Sequence, residues 1–213
     1  HNQSRRQRQM CIRDRMNAIP GQSSFIILDH LRTSNTVWKN DECSLIDIGE
    51  GVLNVEFHSK MNTIGGGVLQ GINKGIDVAE KDFQALVVGN QGVNFSAGAN
   101  IGMIFMLAVE QEYDELNMAI KYFQDTMMRM RYSSIPTVAA PHTLTLGGAC
   151  ELSLHADKVV AAAETYIGLV EFGVGVIPGG GGSKEMALRA SDSFRKNDVE
   201  LNVLQEYLSL IHI

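Results

Sequence analysis

Apolar and polar positions along the chain follow two periods. Residues 44–57 alternate on either side of Gly49-Glu50-Gly51. A period of two flanking a glycine-rich turn predicts a β-hairpin. Val68, Leu69, Ile72, Ile76 and Ala79 then recur at helical spacing and predict a helix over residues 68–80, with Gly71 and Gly75 inside it as points of weakness. The apolar run 85–89 predicts a buried strand. Leu116, Ile120, Phe123, Met127 and Met130 mark one face of a long helix over residues 113–132, its methionines filling a core. Pro136 ends that helix's approach, and a strand over residues 137–140 follows. Residues 158–162 predict another apolar strand, and residues 150–157, 183–190 and 198–207 read as helices. Residues 16–39 sustain neither period. Pro20-Gly21 and Thr33-Ser34-Asn35 punctuate them, around one apolar patch, Phe25-Ile26-Ile27-Leu28. The expected division is a linker over residues 16–40, trailing from an upstream domain, and a core over residues 41–207.

Composition narrows the class. The chain has 213 residues, 45% of them hydrophobic, which bounds one domain of ordinary size with a tail. A net charge of -6 without a basic stripe argues against a nucleic-acid partner. Cys11, Cys43 and Cys150 form no CxxC pair and no ligand spacing, so the reading is reduced thiols in a cytoplasmic setting and no metal site. The longest apolar run, around residues 102–109, soon meets Glu110 and Glu112 and falls short of the roughly 18 residues of a membrane span. No signal peptide is recognisable.

The basic segment over residues 5–14 has a second explanation. It can be written CGT CGG CAG CGT CAG ATG TGT ATA AGA GAC, which resembles a transposase sequencing adaptor. The reverse complement of its inner part, CTG TCT CTT ATA CAC ATC, encodes Leu208-Ser209-Leu210-Ile211-His212-Ile213. Residues 1–15 and 208–213 are therefore expected to be adaptor-derived, and the native polypeptide to continue beyond both ends.

Candidate chemistry sits in two stretches: Leu146-Gly147-Gly148-Ala149-Cys150-Glu151-Leu152, and residues 170–182 with Glu171 and Pro178-Gly179-Gly180-Gly181-Gly182. Each pairs a carboxylate with glycines in an apolar run. Glycines at a strand-to-helix turn expose N–H groups at the positive end of a helix dipole, which suits an anion or a developing oxyanion. Glu151 falls in the first turn of that helix, and Glu171 lies between Val170 and Phe172. Two sequestered carboxylates near such donors suggest proton transfer next to a carbonyl. The plainer alternatives are that Glu151 caps its helix and Glu171 is solvated. Gly179 to Gly182 is no P-loop, because Gly182-Ser183-Lys184 has the wrong order. Cys150, His142 and His155 read as buried or satisfied structural residues.

Together with Lys60-Met61-Asn62 and Phe95-Ser96-Ala97-Gly98-Ala99-Asn100-Ile101, these stretches resemble, in order and spacing, the enoyl-CoA hydratase (crotonase) family over residues 43–207. The resemblance implies an α/β fold of the ClpP/crotonase type, a spiral of β-β-α units, here without its C-terminal helices. It implies an oxyanion hole from the Ala99 and Gly148 N–H groups and a water held by Glu151 and Glu171. Lys60, Ala97, Gly98, Gly147, Pro178 and Gly179 fall at substrate-binding positions, although a surface role for Lys60 stays open. The implied activity is hydration of 2-trans-enoyl-CoA in fatty acid β-oxidation. Isomerisation of 3-enoyl-CoA and a non-catalytic acyl-CoA-binding module are the alternatives. CoA arrives as part of the substrate, no metal or redox cofactor is expected, and any NAD site belongs to a domain outside this chain. The intact protein is expected to be a homo-oligomer and a fusion with a 3-hydroxyacyl-CoA dehydrogenase domain on the N-terminal side. Three positions depart from the family pattern: Ala149 for a third glycine, Asn100 for an aspartate, and Gly102 where some relatives place a lysine near the CoA phosphates. Chain-length preference would depend on depth around Phe105, Met106 and Tyr122.

Overall fold

A computed structural model describes residues 25–197. In chain order its elements are α1 (Leu28–Leu31), β1 (Thr36–Lys39), β2 (Cys43–Asp47), β3 (Val52–Phe57), α2 (Gly66–Asp82), β4 (Ala85–Val88), α3 (Ile101–Val109), α4 (Tyr113–Arg131), β5 (Thr137–Ala139), β6 (Leu144–Leu146), α5 (Gly148–His155), β7 (Lys158–Val159), β8 (Tyr166–Gly168) and α6 (Gly182–Asn197). Short 3-10 turns at Lys60–Asn62 and Glu171–Val174 complete the set. The main sheet runs β1-β2-β3-β4-β5-β7, and β6 and β8 form a separate two-stranded sheet.

The expected hairpin is β2 and β3, antiparallel, with Leu45 opposite Val55. Gly49, Glu50 and Gly51 all take positive φ in the turn, and the two glycines are the residues that reach it without strain. From β3 onward the sheet is parallel, which requires crossover connections through helices. The first crossover is α2, whose Val68, Leu69, Ile72, Ile76 and Ala79 are buried against the sheet. Gly71, a weak point by propensity, is what lets the helix in: a Cβ there would overlap Cys43 Sγ. In α4, Phe123, Met127 and Met130 are buried, whereas Ile120, three residues before Phe123, is exposed.

Two expectations need correction. Part of the expected linker is structural: Thr36–Lys39 is an edge strand paired with β2. Bidentate pairing of the Arg32 guanidinium with buried Glu56 ties the preceding turn to the sheet. The strand expected over residues 158–162 is regular only at Lys158–Val159; beyond it Val160 N–H and Ala162 N–H still donate to Ala139 O and Pro141 O, each at 2.9 Å, but Val160 is exposed. The apolar run around residues 102–109, whose pattern predicts no element, forms the helix α3, none of whose residues is buried. The helix expected over residues 198–207 and both adaptor-like ends lie outside the described residues. Among the described residues no helix is long and apolar enough to cross a membrane.

Candidate active site

The loop between β4 and α3 is strapped to the small sheet. Ser96 N–H donates to Leu144 O, and Leu146 N–H donates back to Ser96 O, each at 3.1 Å. On its other side Ile64 N–H donates to Gly98 O at 2.8 Å. Gly98 has φ +91, and a Cβ there would overlap Leu146 O and lie 3.1 Å from Gly148 N. A Cβ on Gly148 would in turn lie 3.0 Å from Ala99 N. The backbones carrying Ala99 N–H and Gly148 N–H therefore meet around one small space, at the positive end of α5.

Glu151 lies one turn into α5 and is 4% exposed. Gly182, at the start of α6, donates its N–H to Glu151 Oε1 at 2.8 Å. A side chain at Gly180 would collide with Glu151 Oε2 and the Phe123 ring, so only glycine lets the backbone approach this carboxylate. Burial pushes the Glu151 carboxyl up to about 7. The Gly182 N–H pulls it down, the charge of Glu171 pushes it up, and the Gly180 and Gly181 N–H groups pull down again. Glu171 opens the turn Glu171–Val174 and is also buried. Its carboxylate lies against Gly147, where a Cβ would stand 3.4 Å from Glu171 Oε1. Gly147 has φ +51, so a side chain there would be strained as well as crowded. Burial raises the Glu171 carboxyl also, partly offset by its own N–H. Neither Glu171 oxygen has a hydrogen-bond partner of normal geometry among the described residues.

The remaining expected residues divide. Ala97 and Gly98 lie on the strapped loop and Gly147 at the mouth of α5. Pro178 is buried just before the glycine run, and Gly179 O accepts from Gln124 Nε2 at 2.6 Å. Lys60 is exposed, on a turn joined to the loop by Ala97 N–H to Met61 O at 3.2 Å. Of the departures from the family pattern, Asn100 caps α3 by accepting from Met103 N–H, and the Ala149 methyl is fully buried. Cys150 is a buried thiol pushed up to about 12 by burial and then by the charges of Glu171 and Glu151, so it is no nucleophile at neutral pH. His142 bonds Asn90 and Thr143. Phe105, Met106 and Tyr122 are all exposed rather than lining a closed pocket. Sequence reasoning missed the Gly182 N–H, the close approach of Gly180, and Phe123 as a wall of the site. The run Gly179 to Gly182 was the available signal for the first two. Among the described residues no group of three or more His, Cys, Asp or Glu side chains could hold a metal ion.

Comparison with known proteins bears on the fold and the family. The profile of the enoyl-CoA hydratase/isomerase family matches residues 47–195. A probable 3-hydroxyacyl-CoA dehydrogenase of Bacillus subtilis is 49% identical over 154 residues, which are 72% of this chain and 20% of that protein. A putative fatty acid oxidation complex trifunctional enzyme of Rickettsia felis is 36% identical over 76% of this chain and 22% of its own length. The chain thus spans about a fifth of these curated relatives. Among solved structures, an enoyl-CoA hydratase from Polaromonas sp. JS666 superposes with a TM-score of 0.65 at 21% identity, covering 78% of this chain and 67% of that one. An enoyl-CoA hydratase/isomerase from Xanthobacter autotrophicus Py2 gives 0.57 at 26% identity, covering 63% and 51%. The fold is that of the crotonases, and the chain belongs to the enoyl-CoA hydratase/isomerase family.

Proposed function

We propose that this domain adds water across the double bond of a 2-trans-enoyl-CoA to give the 3-hydroxyacyl-CoA. One observation carries the reading: two buried carboxylates, Glu151 and Glu171, flank the place where the Ala99 and Gly148 amides meet. Migration of a double bond from C3 to C2 needs one proton-shuttling group, whereas hydration has a water to hold and a proton to deliver, which employs two. A pure binding module gains nothing from two carboxylates kept out of water, since their burial is costly.

In this mechanism the thioester carbonyl accepts from Ala99 N–H and Gly148 N–H. Ionised Glu151 takes a proton from the water as its oxygen bonds to C3. The C2–C3 π electrons move toward the carbonyl as an enolate, which the two amides stabilise. Protonated Glu171 orients the water and gives its proton to C2, which restores the thioester. Dehydration runs the same steps backward with the roles exchanged. Lys60, Ala97, Gly98, Gly147, Pro178 and Gly179 are assigned to binding the acyl-CoA. The step as written assigns no chemistry to a metal or redox cofactor, and CoA enters with the substrate.

The names of the curated relatives support placing this domain in a larger β-oxidation protein that also oxidises the 3-hydroxyacyl product. A homo-oligomeric state and a cytoplasmic setting belong to that same proposal. The test is steady-state hydration of crotonyl-CoA, followed by loss of the conjugated enoyl absorbance, beside conversion of a 3-enoyl-CoA. Fast isomerisation without hydration would overturn the assignment.

A further inference from the structure

Behind Glu151 lies a second charged cluster that the proposed reaction does not use. His155 ends α5, is 1% exposed, and its Nδ1 stands 2.7 Å from Glu151 O. A carbonyl can only accept, so Nδ1 carries the proton and Nε2 of the neutral ring is an acceptor. Lys184 Nζ donates to Nε2 at 3.2 Å and stands 3.0 Å from Glu185 Oε1. Its other contact is Met128 Sδ. Glu185 is fully buried and pairs through Oε2 with Arg131 of α4. Burial lowers the His155 pKa, which agrees with the neutral ring. Such a cluster is costly to bury unless its geometry does something.

Its position suggests what. Lys184 and Glu185 lie in the first turn of α6, the same turn that presents Gly182 N–H to Glu151 Oε1. Glu185 N–H donates to Gly181 O at 3.0 Å, so the charged pair and the glycine run belong to one hydrogen-bonded turn. We propose that His155, Lys184 and Glu185 are positioning residues that clamp the first turn of α6 onto α5 and so hold the Gly182 N–H on the Glu151 carboxylate. This rests on the reading of Glu151 as the base. The charge that bears on the Glu151 carboxyl directly is Glu171, from its turn; Lys184 and Glu185 from α6 and Arg131 from α4 face His155, and Arg189 from α6 faces Cys150. Loosening the clamp removes the Gly182 donor that favours the ionised form of Glu151, and so favours the protonated acid.

The informative variant is Lys184→Met, because the lysine is partly exposed and methionine fills its stem volume. In the full chain, kcat for crotonyl-CoA should fall about tenfold with KM changed less than about twofold. The acid limb of the pH profile should move up by about half a unit. Lys184→Arg should restore both. Independently of turnover, 13C-carboxyl NMR of Glu151, assigned with Glu151→Gln, should show the same upward displacement in Lys184→Met. Should Lys184→Met not fold, His155→Asn keeps a donor to Glu151 O, removes the acceptor for Lys184, and should give the same displacement. An undisplaced Glu151 titration in a folded variant overturns the clamp, as does a displaced titration with wild-type kcat. A displaced titration in a protein that never hydrates crotonyl-CoA leaves the clamp standing and overturns the proposed function instead.

Discussion

Glu151 and Glu171 are the same side chain, both buried, both pushed toward the protonated form, yet the fold holds them differently. Glu151 sits on a helix, with one oxygen on the Gly182 N–H and the other facing the Gly180 backbone, where a side chain would not fit. Glu171 sits on a four-residue turn, and its oxygens lack normal hydrogen-bond partners among the described residues. A pinned carboxylate offers a fixed direction, which suits a base aimed at a water. An unpinned one keeps its hydrogen-bonding capacity for whatever enters, which suits a group that orients water and delivers a proton. Removing one charge at a time should separate these roles.

The largest effect is expected at Glu151. Replacement by glutamine keeps the size and the acceptor for Gly182 N–H but cannot take a proton, so kcat for hydration should fall about a thousandfold or more. Glu171→Gln should cost less, about a hundredfold, since water can still be oriented by the amide. Pre-steady-state and steady-state assays on both variants check this. Equal losses would mean that the two carboxylates act as one unit, and wild-type rates in both would sink the assignment.

A pH series sharpens the comparison further. In the proposed reaction Glu151 must be ionised, so kcat/KM should decline below about pH 7, where it takes up its proton. Stability should run the other way. The folded-state pKa is raised from the ordinary 4.5 to about 7, so the contribution is fully present below 4.5 and is lost as pH rises through 7. Glu151→Gln removes that loss. Urea unfolding at pH 8 should find the inactive variant more stable by about 2–3 kcal/mol, with the two proteins nearly equal at pH 4.5. A variant less stable than wild type at pH 8 would mean that the Gly182 contact outweighs desolvation.

Legibility in the sequence followed the physics of each element. α2 and the C-terminal half of α4 each bury one face, so a period was there to be read, whereas β2 and β3 are buried on both faces and the hairpin was legible from the glycine turn between them. β1 is a four-residue edge strand, and β6 and β8 have three residues each, too few for any period to show. α3 is apolar nearly all round without being buried, so it has no polar face to betray a helix; Asn100, its cap, was the one local signal. At the candidate site the carboxylates and their glycines were visible because few residue types do that work. The contact between Gly182 N–H and Glu151 spans 31 positions and is made by a backbone group, which no side-chain pattern records.

The smallest effect concerns neither carboxylate and so serves as the control on both. α3 begins directly after Ala99 and Asn100, and carries Phe105 at 64% and Met106 at 53% exposure. Apolar side chains left in water beside the loop proposed to bind the carbonyl are available to an alkyl chain extending from that carbonyl. Losing one such contact removes uniform binding along the chain and no chemistry at C3. Phe105→Ala should therefore lower kcat/KM for a long-chain 2-enoyl-CoA about five- to tenfold. Crotonyl-CoA, whose short chain ends near the site, should change less than about twofold, and the pH at which activity declines should stay where it was. Equal losses for both substrates would instead show that α3 supports the Ala99 loop, and the chain would have to be sought along another wall.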